Sequence, residues 1–389
     1  MASRGGRSSR GRRTWFQRAV LSVGIAITLV MLVAAGGVAW FGVQLSQLRR
    51  VDVALSVPAP GAPENYLIVG SDSRASVSAS DPNSAAFLSG ESTTRPGLSD
   101  SIMIMRVDPK TQAVALLSLP RDLWVPIAST GSSAKINSAF SKGPQTLVDT
   151  IQSDFGIPIN HYLEVDFAGF QKLVNAIGGI SSYFDVAMRD TNSGVNVPTE
   201  GCVKLDGAAA LALARSRHLE YRDGNGRWVS DGANDFGRIQ RQQYLIRKAA
   251  QKVEGQGLIT DPVELSNLAN VATSSVGLDR GLDIGHLVTL AKQLRGFNAD
   301  SLVSLTVPVT RYNPAPDGSD AQKLIEDQAV AVFAAFGAPP STTVTTPGSG
   351  PSVASAQTGH TAVSTIDPVA DNTQGRLPLD GPPDGTTCD

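Results

Sequence analysis

The chain is short of cysteine, of acid at its N-terminus and of aromatic residues towards its C-terminus. Only two cysteines occur among 389 residues, Cys202 and Cys388. Neither has a histidine companion that marks a thiol nucleophile, which turns the reading away from thiol chemistry. Whether the two pair is left open, since an exported chain forms disulfides but nothing forces closure of so long a loop. The first 18 residues hold six arginines and no acid. From Ala338 to Asp389 the chain is rich in Pro, Ser, Thr and Gly and almost without aromatics. Such a composition buries too little apolar surface to order itself, so a disordered tail or wall-spanning stalk is expected over 338–389. No internal repeat is visible.

Charge is absent from Ala19 to Val43, and Arg49 and Arg50 follow soon after. That length crosses a bilayer with some tilt, and a cleaved signal peptide has a shorter apolar region. The arginine excess on the N-terminal side places residues 1–18 in the cytoplasm. The expected organisation is therefore a cytoplasmic Arg-rich stub (1–18), a transmembrane helix (19–43), a linker (44–61), an extracytoplasmic domain (62–337) and the tail. The whole chain carries −2, so residues 19–389 without the six stub arginines carry −8. A mildly acidic exported part argues against nucleic acid as partner.

Within the domain, apolar runs at Asn65–Ser71, Ser101–Val107 and Ala113–Leu119 read as strands, the last two as a hairpin turning at Asp108-Pro109-Lys110. The loop at 75–97 is rich in Ser, Gly and Pro. Helical spacing marks Gln145–Phe155, Phe167–Ile177, Gly207–Ala214 and Phe236–Val253, with strands at His161–Val165 and Ser182–Val186 between them. Asp235 is placed to cap the longest of these helices. Helices at 263–274, 284–295 and 320–336 and a strand at 301–307 complete an α/β fold: layered α/β/α with a central mixed sheet.

Five segments bring arginine and aspartate together where regular elements meet loops: GSDSR (70–74), LSDSIMIM (98–105), SLPRD (118–122), ARSRH (214–218) and DFGRIQRQ (235–242). Guanidinium forks suit phosphate oxygens and carboxylates suit Mg²⁺ or Mn²⁺, so the pattern points to a phosphate or pyrophosphate substrate. Arg238 and Gln242 share one helix face in the first two turns, with Arg241 three residues from Arg238; a helix start favours an anion. A solvated basic face is the plain alternative. Arg215 and Arg217 share a side only if the helix from Gly207 ends about Arg215 and ARSRH leaves extended; cations decorating a helix C-terminus are the alternative there. Asp72 and Asp100 adjoin strand edges and equally suit loop or Asx-turn roles.

In order along the chain, NYLIVGSDSR, SDSIMIMRVDP, LLSLPRDLWVPI, KINSAF, VDFAGFQKLVNAIGGI, LDGAAALALARSRH and DFGRIQRQQYL resemble the LytR-CpsA-Psr family over roughly 65–250, and the remainder to 337 fits it too. The resemblance implies a membrane-anchored phosphotransferase that moves a glycopolymer from a polyprenyl-pyrophosphate carrier to peptidoglycan, at a muramic-acid 6-hydroxyl, and releases polyprenyl phosphate. It implies that Asp72 and Asp100 hold Mg²⁺, that Arg121, Arg215, Arg217, Arg238 and Gln242 contact the pyrophosphate, and that Asp122 and Asp235 orient these arginines or assist the chemistry. The family's arginine two residues before the second metal aspartate is Leu98 here, so either Arg95, three residues earlier, substitutes or one phosphate contact is missing.

Two rival functions stay beside the transferase: a pyrophosphatase using water at the same site, and a non-catalytic envelope-binding or regulatory protein. The apolar stripes at 163–180, 244–250, 263–276 and 284–294 read as core, and as a lipid slot only on the resemblance. The Ala-, Gly-, Val- and Arg-rich composition suggests an actinobacterium, with arabinogalactan or a related glycan as cargo.

Overall fold

The computed structural model describes residues 49–71, 99–255, 276–282, 297–339 and 375–379, with a few further positions between 286 and 294 and between 381 and 388. The stub, the 19–43 span, the 75–97 loop, Asp72, Arg95, the 263–274 helix, most of the 284–295 helix and most of the tail lie outside the described residues. No helix among the described residues is long and apolar enough to cross a membrane.

The strands, in chain order, are β1 (Arg49–Arg50), β2 (Glu64–Ser71), β3 (Ser99–Val107), β4 (Val114–Leu119), β5 (Trp124–Ile127), β6 (Ser132–Lys135), β7 (His161–Asp166), β8 (Ile180–Phe184), β9 (Met188–Asp190), β10 (Val195–Val197), β11 (Gly201–Leu205), β12 (Glu220–Arg222), β13 (Trp228–Ser230), β14 (Val276–Leu278), β15 (Val303–Thr306), β16 (Val309–Tyr312) and β17 (Ala321–Leu324). The helices are α1 (Asn137–Ser141), α2 (Pro144–Phe155), α3 (Phe167–Ala176), α4 (Gly207–Arg215), α5 (Asn234–Gly255) and α6 (Glu326–Ala335). Seven strands form the central mixed sheet in the order β1-β14-β7-β2-β3-β4-β15. β2 and β3 run antiparallel, as do β3 and β4, while β7 lies parallel to β2 and β15 parallel to β4.

Strand alternation sorts the side chains between the faces. Leu67, Val69, Ile102, Ile104, Leu117 and Leu119 pack on Leu147, Ile151 and Phe155 of α2 and Val332 and Phe333 of α6. Leu67, Ile104 and Leu117 are fully buried, each stabilising the fold by about 2 kcal/mol. Residues of the opposite phase, Ser101 and Ser118, meet α5 through Gln242 and Gln243. A second core joins α3, α4 and α5 to the small strands, through Val174, Ile177, Phe184, Leu213, Tyr244 and Leu245. The stripes at 163–180 and 244–250 contribute to that core.

Four expectations change. The 44–61 linker is in part domain, because β1 pairs with β14 and the alternating Val51, Val53 and Leu55 pack against the main core. The 320–336 helix splits, since Ala321–Leu324 pairs antiparallel with β16 before α6 begins with Glu326 and Asp327 in its first turn. Asp235 lies inside the first turn of α5 and not before it. The end of the tail is held on the domain: Leu379 N–H donates to Tyr183 O at 2.8 Å, Gly375 N–H donates to Gln240 Oε1 at 2.7 Å, Arg376 pairs with Asp185, and Cys388 is disulfide-bonded to Cys202. Specific hydrogen bonds and a covalent link supply there what apolar content does not.

Candidate active site

The β2–β3 register pairs Gly70 with Ser101, with an irregularity at Gly70/Ser71, so Ser71 and Asp100 reach the same end of the sheet. β4 ends at Leu119 opposite Ile102, which brings Arg121 to that end as well. Arg121 Nη1 donates to Asp100 Oδ1 at 2.7 Å. A turn closed by Leu123 N–H to Pro120 O at 3.1 Å holds the intervening residues. The Asp122 carboxylate lies 3.7 Å from Arg121 Nε and 3.5 Å from Lys135 Nζ.

Asp235 is the hub. Its Oδ1 lies 3.0 Å from Arg238 Nη2, 3.1 Å from Arg217 Nε and 3.9 Å from Arg121 Nε. Arg238 Nη1 also comes within 3.9 Å of Asp100 Oδ1. Guanidiniums from three separate chain segments thus converge on two carboxylates. Charge attraction is present without full hydrogen bonding: Asp235 Oδ1 and the Nε atoms of Arg121, Arg217 and Arg238 are buried and lack aligned partners. For Arg217 Nε and Asp235 Oδ1, the short distance marks an ion pair whose angle is poor for a hydrogen bond. Buried polar atoms left so are costly unless a further group completes them.

The charges respond in opposite directions. Burial depresses the Arg238 pKa, with Asp235 opposing and Arg121 adding to the depression. For Arg121 burial also acts downwards, but Asp100, Asp235 and Asp122 outweigh it and the pKa rises. Both stay cationic near neutral pH.

The ARSRH segment is built as its spacing requires. Ser216 ends α4 in extended conformation, with φ −62° and ψ 125°. Asp190 then fixes the segment from behind: its Oδ2 accepts from Ser216 Oγ at 2.7 Å, Arg217 N–H at 3.1 Å and His218 N–H at 3.0 Å. Burial pushes the Asp190 pKa up, yet these donors and the N–H groups of Asn192 and Ser193 outweigh it and leave the carboxyl below its usual range. Arg241 braces the same segment, donating to Ser216 O at 2.9 Å and to Asp231 Oδ2 at 2.8 Å. Gly237 allows this, because a Cβ there would lie 2.8 Å from the Arg241 guanidinium. Asp190 and Asp231 were not singled out by sequence: neither lies in the five arginine-aspartate segments, and Asp190 reaches its partners across 26 to 28 residues and Asp231 across 10.

Asp100, Arg121, Asp122, Arg217, Asp235 and Arg238 therefore stand together. Gln242 adjoins them as a strut, accepting from Ser101 Oγ at 3.1 Å and donating to Ala214 O at 3.0 Å. The Arg215 guanidinium lies over the Phe167 ring, 4.7 Å from its centre. Of the carboxylates expected to hold a metal, Asp100 is in the cluster, a partly exposed hard oxygen donor suited to Mg²⁺.

The LytR_cpsA_psr family model matches residues 43–336. The probable cell wall biosynthesis protein LcpB of Corynebacterium glutamicum is 29% identical over 75% of this chain and 64% of its own length. TagV of Bacillus subtilis, named a polyisoprenyl-teichoic acid–peptidoglycan teichoic acid transferase, is 30% identical over 59% of this chain and 58% of its own. The chain thus spans under two thirds of either relative. A solved LytR-Csp2A-Psr enzyme from Actinomyces oris superposes with a TM-score of 0.59 at 25% identity, covering 75% of this chain and 97% of that one.

Proposed function

The chain belongs to the LytR-CpsA-Psr family, and from that premise we propose that it transfers a glycopolymer from a polyprenyl-pyrophosphate carrier to the muramic-acid 6-hydroxyl of peptidoglycan. The observation that carries the reading is the convergence of Arg121, Arg217 and Arg238 on Asp235 and Asp100 at one sheet end. A pyrophosphate repels an incoming oxygen, and fixed guanidiniums in a half-buried setting neutralise that charge without reorganising.

In the proposed reaction the acceptor oxygen forms a bond to the glycan-side phosphorus. The phosphoanhydride bond breaks, its electron pair leaves with polyprenyl phosphate, and the hydroxyl proton is lost to solvent or a carboxylate. Arg121, Arg217 and Arg238 bind and orient the diphosphate. Asp235 and Asp122 hold those forks in place. Asp100, with Asp72, would hold Mg²⁺ or Mn²⁺, which supplies Lewis-acid neutralisation of phosphate oxygens when bound. The 19–43 span would anchor the domain outside the cell beside its lipid-linked substrate.

The test is incubation of the full-length protein with Mg²⁺, a lipid-pyrophosphoryl glycan and wall acceptor. A phosphodiester-linked conjugate is expected. Phosphate-terminated glycan released at equal rates with and without acceptor assigns the site to hydrolysis instead, and Asp100→Ala with full activity removes the catalytic reading altogether.

A further inference from the structure

At the end of the sheet away from the arginine cluster, three side chains turn towards one point. Glu64 opens β2, His161 opens β7 beside it, and His286 comes from the chain after β14. Glu64 Oε2 lies 3.3 Å from His286 Nε2 and 3.7 Å from His161 Nε2. One donor atom from each of the three lies within 4.8 Å of the others. Glu64 and Ser71 are the two ends of β2, so about 20 Å of strand separates this point from the arginine cluster.

Asp279 accepts from the backbone N–H of Tyr162 at 2.9 Å on Oδ2, and from Gly281 at 2.6 Å and Leu282 at 3.2 Å on Oδ1. A carboxylate used in this way is an acceptor, so its 3.2 Å contact with His161 Nδ1 has the hydrogen on the imidazole. The other ring nitrogen of His161, Nε2, is on the Glu64 side, 3.7 Å from Oε2. The one Tyr66 hydroxyl hydrogen goes to Glu64 Oε2 at 2.6 Å, with His286 Nε2 2.9 Å from the same hydroxyl. Glu64 Oε2 and one ring nitrogen of each histidine thus gather at one point, three atoms of the kinds that ligate a metal cation.

We propose that Glu64, His161 and His286 bind one Zn²⁺ ion, with Asp279 as the outer carboxylate that orients His161. Imidazole nitrogens select zinc and its late first-row neighbours over Mg²⁺, whose ligands are oxygens. Tetrahedral bonds of about 2.1 Å place ligand atoms about 3.4 Å apart, close to the two distances from Glu64 Oε2 of 3.3 and 3.7 Å. A carboxylate behind a ligating histidine is the usual outer partner at zinc sites, where it fixes tautomer and ring orientation. The surroundings are built for it. Asp279 is 2% exposed and His161 6%. A Cβ on Gly281 would stand 2.9 Å from Asp279 Oδ1, so glycine leaves the loop room to wrap that carboxylate. Arg50 staples the same loop to β1, donating to Asp279 O at 2.7 Å and Leu282 O at 3.0 Å. The ion would join β2 and β7 to His286.

The test uses the full-length protein in detergent, stripped with chelator and dialysed against Zn²⁺ under excess Mg²⁺. One equivalent of zinc by elemental analysis is expected, and Co²⁺ should give the visible absorption of a tetrahedral nitrogen–oxygen site. His286→Gln, at a partly exposed position, should weaken zinc binding at least tenfold with unchanged circular dichroism, and Asp279→Asn should weaken it about ten- to a hundredfold. Wild-type protein that takes up no zinc overturns the proposal. So does folded His286→Gln that binds as tightly as wild type, or a Co²⁺ spectrum showing only octahedral, water-like ligation. No readout depends on glycan transfer, so this outcome stands apart from the fate of the proposed activity.

Discussion

Arg238 and Arg241 stand one turn apart on α5 and are almost equally buried, at 4% and 0% exposure, yet they do opposite things. Arg241 is walled in by aligned bonds to Asp231 and the carbonyl of Ser216, with a longer one to the carbonyl of Arg376 at 3.3 Å. Arg238 faces Asp235, Asp100 and two more guanidiniums, and burial and its cationic neighbours pull its pKa down. Burial does not separate the two arginines. What separates them is that Arg241 spends its Nη atoms on Asp231 and backbone carbonyls, while Arg238 lies beside two further guanidiniums. The first arrangement stabilises a loop; the second suits the proposed binding of an anion.

The largest effect should follow from removing a fork on the open side. Arg217→Ala and Arg238→Lys should each lower glycan transfer by about 10²–10³-fold, the scale of losing one oriented donor, with the melting temperature nearly unchanged. Equal loss of both properties would dissolve the contrast. On the walled side Arg241→Lys should do the reverse at first order. Calorimetry should show about 2–4 kcal/mol of lost stability, because a lysine cannot serve Asp231 and Ser216 O together and leaves buried acceptors unmet.

Asp190→Asn comes next, at about 1–3 kcal/mol, since an amide turns a donor towards the N–H groups of Arg217 and His218. Its pH dependence sharpens the assignment. The folded Asp190 pKa is depressed, so its stabilisation is fully present above the unfolded carboxyl value of about 3.9 and is lost as pH falls through the lower folded value. Acid titration of unfolding should therefore be shallower in Asp190→Asn than in wild type. Smallest of all, Lys135→Ala should change stability by no more than about 0.5 kcal/mol, its amine lying 3.5 Å from Asp122 at a partly solvated position.

Much of the open side was legible in the sequence, because each contributing motif sits at an element boundary and names its own chemistry. The extended turn after Arg215 followed from the two-residue spacing of ARSRH, and the hairpin carrying Asp100 and Arg121 followed from strand periodicity. The walled side was not legible. Asp190 closes the three-residue strand β9 and Asp231 stands in a loop, and their partners lie 26 and 10 residues away. Strands β9, β10, β12 and β13 have three residues each, too few for alternation to register. The turn of Arg215 towards Phe167 and the splitting of 320–336 into strand and helix depend on neighbours brought close only by the fold. Val51, Val53 and Leu55 did carry a signal, a two-residue period, in a stretch whose composition suggests a linker.

The bond between Cys202 and Cys388 closes a ring over 186 positions of chain, and α4, the ARSRH turn and α5 all belong to it. A protease cut between residues 340 and 374 would then release nothing: both pieces would migrate as one band until a reductant separated them. Shortening the gene at residue 338, where composition invites it, would instead orphan a thiol at Cys202 and uncover the back of the helix that carries Arg238.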